Sequence, residues 1–137
     1  MSFVLDSSVS LSWCFDDERT DATDALLERI VESGADAPAL WPLEVLNALA
    51  MAERRHRIDP ECRQRLAGLL RDLPVAIDEE TASQAWAVTA QLAARFRLTV
   101  YDAAYLELAQ RRGLPLATLD QELRAAAAAL GVTLLGT

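Results

Sequence analysis

Short apolar runs alternate with helix-patterned segments along the whole chain, and this alternation most constrains the fold. Phe3 to Leu5, Asp36 to Leu40, Pro74 to Ile77, Leu114 to Leu119 and Val132 to Leu135 read as strands. They are mostly apolar, with no inside–outside alternation, as expected when both faces of a sheet are covered. Helical patterns separate them, so the chain reads as α/β, a three-layer arrangement of four to five short parallel strands with helices on both faces. The 137 residues predict one domain spanning 1–137, with no internal repeat and no long linker.

The helices carry their own punctuation. Ser7 and Ser8 offer a cap for a short helix through Trp13, and Thr20 to Ser33 is closed by Gly34. Pro42 stands in the first turn of a helix running to about Arg57, and Asp59-Pro60 opens another that ends near Asp72. A long alanine-rich helix runs from Asp78 or Thr81 to about Phe96. Thr99 to Arg112 is stopped by Gly113, and Asp120 to Leu130 by Gly131.

Four acids fall at strand ends or in first helical turns: Asp6, Glu44, Asp102 and Asp120. In a parallel α/β sheet the ligand site lies outside the carboxyl ends of the strands, so all four can converge on one edge. Singly, each has an ordinary role as a turn, cap or helix-dipole residue. Together they would repel one another unless a cation sat among them. Hard oxygen donors suit Mg²⁺ or Mn²⁺. Ser8 and Thr118 stand two residues from Asp6 and Asp120, and Asn47 one turn after Glu44. Each is a candidate to orient a carboxylate or a bound water, and each is equally readable as a cap or helix surface.

Composition removes several chemistries. The 13 basic residues include no lysine, which excludes P-loop NTPases and Schiff-base enzymes. Cys14 and Cys62 lie far apart and read as reduced, partly buried thiols. The single histidine, His56, lies among arginines and reads as a surface residue, with no partner for triad chemistry. Trp13, Trp41 and Trp86 read as core or interface anchors. No run is long enough to span a bilayer and no secretory leader is evident, so a cytoplasmic location is expected. A net charge of −8 is unusual for a nucleic-acid enzyme. Against it stands a cluster at Arg54, Arg55, Arg57, Arg63, Arg65 and Arg71, which is either a solvated helix face or a phosphate-binding surface.

Four stretches resemble the motifs of one family. Val4-Leu5-Asp6-Ser7-Ser8-Val9, Pro42 to Leu49 with its Glu44 and Asn47, Leu98 to Leu106 around Asp102, and Thr118-Leu119-Asp120 are similar to those of the PIN domain. Within it they resemble the VapC-type toxin ribonucleases of type II toxin–antitoxin modules. One departure is that Gln121, Glu122 and Leu123 follow Asp120, where some members carry a further Asp or Asn. The resemblance implies a Mg²⁺- or Mn²⁺-dependent endoribonuclease. Asp6 and Asp102 would be direct ligands, and Glu44 and Asp120 ligands directly or through water, with water attacking the RNA phosphodiester in line. It further implies a homodimer and a cognate VapB-type antitoxin lying across a groove built from the early helices, around Val9 to Phe15 and Leu26 to Val31. The competing readings are a non-catalytic module of the same fold, a PIN nuclease with a non-toxin role acting on DNA or processing RNA, and a phosphatase using Asp6 as nucleophile. The last would want an acid where Ser8 stands.

Overall fold

The computed structural model describes residues 1–137. Five strands form one sheet: β1 (Val4–Leu5), β2 (Ala35–Ala37), β3 (Val75–Ile77), β4 (Leu116–Ala117) and β5 (Leu134–Leu135). Their order is β3-β2-β1-β4-β5 and every pairing is parallel. The helices are α1 (Ser7–Ser12), α2 (Asp21–Ser33), α3 (Trp41–Arg54), α4 (Pro60–Arg71), α5 (Thr81–Gln84), α6 (Ala90–Phe96), α7 (Val100–Arg112) and α8 (Gln121–Ala129). This is the expected three-layer α/β architecture, with helices on both faces.

Strands are shorter than the apolar runs that encode them. β2 starts one residue earlier than expected and ends at Ala37, because Pro38 has no N–H to continue the ladder. β4 keeps only the middle of Leu114 to Leu119: Pro115 precedes it, and Thr118 turns toward the acids.

Helix boundaries follow their caps. Thr20 and Thr23 form a reciprocal capping box at the start of α2. The Asp59 carboxylate accepts from the Cys62 N–H at 2.7 Å, and Thr99 Oγ1 from the Asp102 N–H at 3.1 Å. Gly113 closes α7 in the left-handed region at φ 62°. The expected extension of α3 to Arg57 fails: Arg55 caps it, and His56 turns the chain at φ 60°.

The alanine-rich helix is a second correction. It is not continuous from Thr81 to Phe96, because the chain kinks within Ala85–Thr89, where Ala87 leaves helical geometry at φ −122°, ψ −105°. Alanine favours a helix without fixing which face turns inward. In an uninterrupted helix Trp86 would share a face with buried Thr89. Beside the kink Trp86 instead stands outside the core, 91% exposed. Trp86 is therefore not a core residue, whereas Trp13 and Trp41 are. Their indole N–H groups donate to Thr23 O at 2.7 Å and to Ser10 Oγ at 2.9 Å.

The core gathers Phe3, Leu5, Ile30, Leu49, Tyr105 and Leu123 from both sides of the sheet. Helix α7 is its centre, buried without interruption from Ala103 to Ala109. That run includes Glu107, whose charge is met by Arg111 at 2.8 Å. Arg111 also holds Asp78 at 2.6 Å, and Arg112 bridges Asp78 and Asp36. These ion pairs fix the carboxyl end of α7 to β2 and to the residue after β3. Both cysteines are free and half-buried. No helix is long and apolar enough to cross a membrane.

Candidate active site

Parallel pairing of β1 with β4 sets the carboxyl ends of these two central strands side by side. Asp6 follows β1 and Asp120 lies three residues past β4. The first turns of α3 and α7 bring Glu44 and Asp102 to the same edge.

Asp6 is the buried member, 3% exposed. Its Oδ2 accepts from Ser8 Oγ at 2.6 Å and from Thr118 Oγ1 at 2.8 Å. Both hydroxyls have a second task. Ser8 Oγ accepts from the Leu119 N–H at 3.0 Å, and Thr118 Oγ1 from the Asp120 N–H at 3.1 Å. The two candidate orienting residues thus lock β1 and β4 together around one carboxylate. Burial drives the Asp6 carboxyl above its usual range, against the pull of these hydroxyls.

Glu44 is half-buried, and its Oε1 accepts from Tyr105 Oη at 2.6 Å. Burial raises its carboxyl, the Tyr105 hydroxyl opposes, and the Asp6 charge adds to the rise. Tyr105 is itself fully buried, and its phenol is pushed upward by burial and by the charges of Asp6 and Glu44. Tyr105 lies outside the set of acids and hydroxyls that the sequence marks as candidates. The signal was present in its spacing, three residues after Asp102 on the same helical face.

Asp102 reports the assembly. Its carboxyl is raised to about 6, first by burial and then by the charges of Asp6, Asp120 and Glu44. The four acids therefore share one electrostatic field. Asp120 also performs its ordinary role, since its Oδ1 caps α8 by accepting from the Leu123 N–H at 2.8 Å. Asn47 is exposed and makes no hydrogen bond to any of the four. Glu122 is exposed in the first turn of α8.

The acids form an open basin and not a preformed cage: no three of them stand close enough together to enclose a cation. Two apolar depressions lie elsewhere. One of about 520 Å³ separates α3, α4 and β3, and one of about 280 Å³ is lined by Trp13, Leu27, Val31, Leu66 and Leu69. The second includes residues of the early helices singled out as a groove. Neither is lined by any of the four acids.

A parallel α/β sheet with carboxylates gathered outside its central strands defines a class of acid-centred α/β domains. The family match makes this specific: residues 3–129 match the PIN domain model, and the chain belongs to that family, whose members are typically nucleases. Two solved structures share the fold. PAE2754 from Pyrobaculum aerophilum is similar at 24% identity over 92% of this chain and 84% of that one, with a TM-score of 0.69. FitAcB from Neisseria gonorrhoeae is similar at 17% identity over 98% of this chain and 96% of that one, with a TM-score of 0.67. Among curated proteins, none matches the chain.

Proposed function

We propose that the protein is a Mg²⁺- or Mn²⁺-dependent endoribonuclease, the toxin of a VapBC-type toxin–antitoxin pair. One observation carries the reading: Asp6, Glu44, Asp102 and Asp120 meet at the carboxyl edge of the central strands, near enough that the other three act on the Asp102 carboxyl. Like charges collected at one edge are costly unless the site is built for a cation. An open basin suits Mg²⁺, which keeps several waters and takes only one or two carboxylates besides substrate phosphate. Asp6 and Asp102 would hold the ion, with Glu44 and Asp120 bonded directly or through water. When bound, the cation would acidify an attacking water and stabilise charge on the phosphodiester transition state. Ser8 and Thr118 hold the Asp6 carboxylate in a fixed orientation. Tyr105 does the same for Glu44.

Cleavage of total RNA by purified protein tests this. The expected result is Mg²⁺- or Mn²⁺-dependent cleavage that is abolished by EDTA, by Asp6→Asn and by Asp102→Asn. A wild type that neither cleaves RNA nor binds Mn²⁺ sinks the reading. That outcome favours the second reading, a non-catalytic PIN-fold binding module, which the lack of a preformed cage recommends.

The same reading includes a homodimer and a VapB-type antitoxin. The apolar depression beside Trp13, Leu27 and Val31 suits an antitoxin segment, and an arginine from it would enter the acidic basin in place of the cation. An antitoxin peptide that binds without displacing Mn²⁺ would refute the second half of that statement. Sedimentation equilibrium checks the dimer.

A further inference from the structure

The six arginines between 54 and 71 are not equivalent. Arg57 is held by Asp17 and Glu18 and stacks on Phe15, its guanidinium carbon 3.9 Å from the ring centre. Arg63 is bound to Glu53, and Arg71 pairs with Asp72. Arg54, Arg55 and Arg65 have no carboxylate partner. Arg54 donates only to Met51 Sδ, at 3.8 Å, so its side chain lies back along α3 toward the acids.

Helical geometry separates these three. At 100° per residue, Glu44, Asn47, Met51, Arg54 and Arg55 fall along one side of α3. The buried residues Val45, Leu49 and Ala52 define the core side. Glu53 pairs with Arg63 of α4, which places α4 on a different flank from the Glu44 line. The line is therefore open to solvent: Asn47, Arg54 and Arg55 are exposed. It begins in the acidic basin and ends about 15 Å away at two arginines with no acidic partner. Arg65 lies on α4, off this line.

We propose that this side of α3 is a track for the single-stranded RNA backbone, with Arg54 and Arg55 gripping phosphates a few nucleotides from the scissile bond. The proposal rests on the nuclease reading and extends it to a positioning site. The physical need is plain. A chain of net charge −8 repels a polyanion, and the four acids at the sheet edge add to that repulsion beside the scissile bond. Phosphate contacts outside the basin fix register without reading sequence, and arginine's planar fork suits phosphate. Asn47, midway along the line, offers both a donor and an acceptor to the passing strand.

The test measures binding of a labelled single-stranded RNA of about a dozen nucleotides by fluorescence anisotropy in EDTA, over a range of salt. Three proteins are compared: wild type, Arg54→Gln/Arg55→Gln, and a control of equal charge, Arg65→Gln/Arg95→Gln. All four arginines are exposed and make no ion pair, and a thermal melt of each variant confirms folding, since Arg95 also stacks on Phe96 at 4.8 Å. The expected result is that the slope of log affinity against log salt becomes shallower by about 1.4 in the first variant, at about 0.7 per single-strand phosphate contact. The control keeps the wild-type slope. Cleavage of a substrate too short to reach the helix end stays at the wild-type rate in both variants. Equal slopes in the two variants, or no change in either, overturn the track while RNA cleavage by wild type leaves the nuclease reading intact. A wild type that neither binds nor cleaves RNA removes both together.

Discussion

Tyr105 Oη donates to Glu44 Oε1 at 2.6 Å, joining α7 to α3 through one of the four acids. The two residues are 61 apart in sequence. Without this bond the Glu44 side chain loses its shortest tie, with Ser7 as the remaining side-chain donor, and a buried phenol loses its acceptor. Tyr105→Phe keeps the ring and removes only the hydroxyl. It is expected to cost about 1–2 kcal/mol, toward the lower end for a bond to a charged group because Glu44 is only half-buried. Urea denaturation measures the loss. Mn²⁺ affinity is expected to fall together with stability, whereas a bond that served packing alone would leave Mn²⁺ affinity unchanged.

Asp102 gives a pH dependence with a definite sign. Its folded carboxyl titrates near 6 against an ordinary value of 3.8. The unfolded chain therefore releases this proton first, and the folded state holds it more tightly. Stability from this group is complete below about pH 4 and is lost as pH rises to about 6. Metal-free wild type is expected to lose melting temperature across that window. Asp102→Asn is expected to make the profile shallower there, with the raised Asp6 and Glu44 carboxyls supplying the remaining slope, and to melt higher than wild type at pH 7. Saturating Mn²⁺ restores the wild type, because a bound cation removes the repulsion and stabilises by mass action. Thermal melts in EDTA and in Mn²⁺ decide the matter, and an unchanged profile in Asp102→Asn would refute it.

What the sequence made legible follows from distance along the chain. The α/β order, the positions of the four acids and most caps are local signals, and the structure keeps them. The kink at Ala87 was not legible, because no proline or glycine marks it and Thr81 to Phe96 reads as helix throughout. Nor was the bond between Tyr105 and Glu44, or the set of ion pairs around Asp78, since each joins residues 31 to 76 positions apart that meet only after the sheet forms. The Arg54–Arg71 cluster was visible as charge. Which of its members are neutralised required the partners Asp17, Glu18, Glu53 and Asp72.

The ion pairs at the other end of α7 predict a contrast between single and paired substitutions. Glu107 is 3% exposed and has Arg111 as its only charged partner. Arg111→Met leaves it buried and uncompensated, at a cost of about 3 kcal/mol. Glu107→Gln/Arg111→Met is expected to recover only the part of that loss due to Glu107, since Asp78, also buried, still loses Arg111 and keeps Arg112 as its one charged partner. Asp78 adds an acid limb. Burial opposes its ionisation, but the Arg111 bond and its other donors hold its carboxyl below the ordinary value of 3.8. Its contribution is complete above about pH 4 and is lost as pH falls further. Asp78→Asn is expected to lack that limb while keeping the Asp102 window. RNA cleavage per folded molecule stays unchanged in these variants, because Arg111 lies about 13 Å along α7 from Asp102.

Thr118 offers the sharpest separation of orientation from ligation. Its hydroxyl donates to Asp6 at 2.8 Å and accepts from the Asp120 N–H at 3.1 Å, so one fully buried oxygen serves two of the four acids. Thr118→Val preserves shape and removes no carboxylate. Asp6 then keeps Ser8 as its single side-chain donor, its carboxyl rises further, and the Asp120 N–H loses its acceptor. The expected cost is about 1–3 kcal/mol of stability, from leaving a buried polar group unmet. If Thr118 orients the carboxylate, Mn²⁺ affinity falls about 10- to 100-fold, as when an outer partner of a metal ligand is removed. The pH profile of RNA cleavage then moves upward, because Asp6 must still be ionised to act. Thr118→Ser retains the hydroxyl and is expected to restore both affinity and profile. A valine variant that is destabilised but binds Mn²⁺ like wild type would make Thr118 a packing residue and return the Asp6 orientation to Ser8 alone.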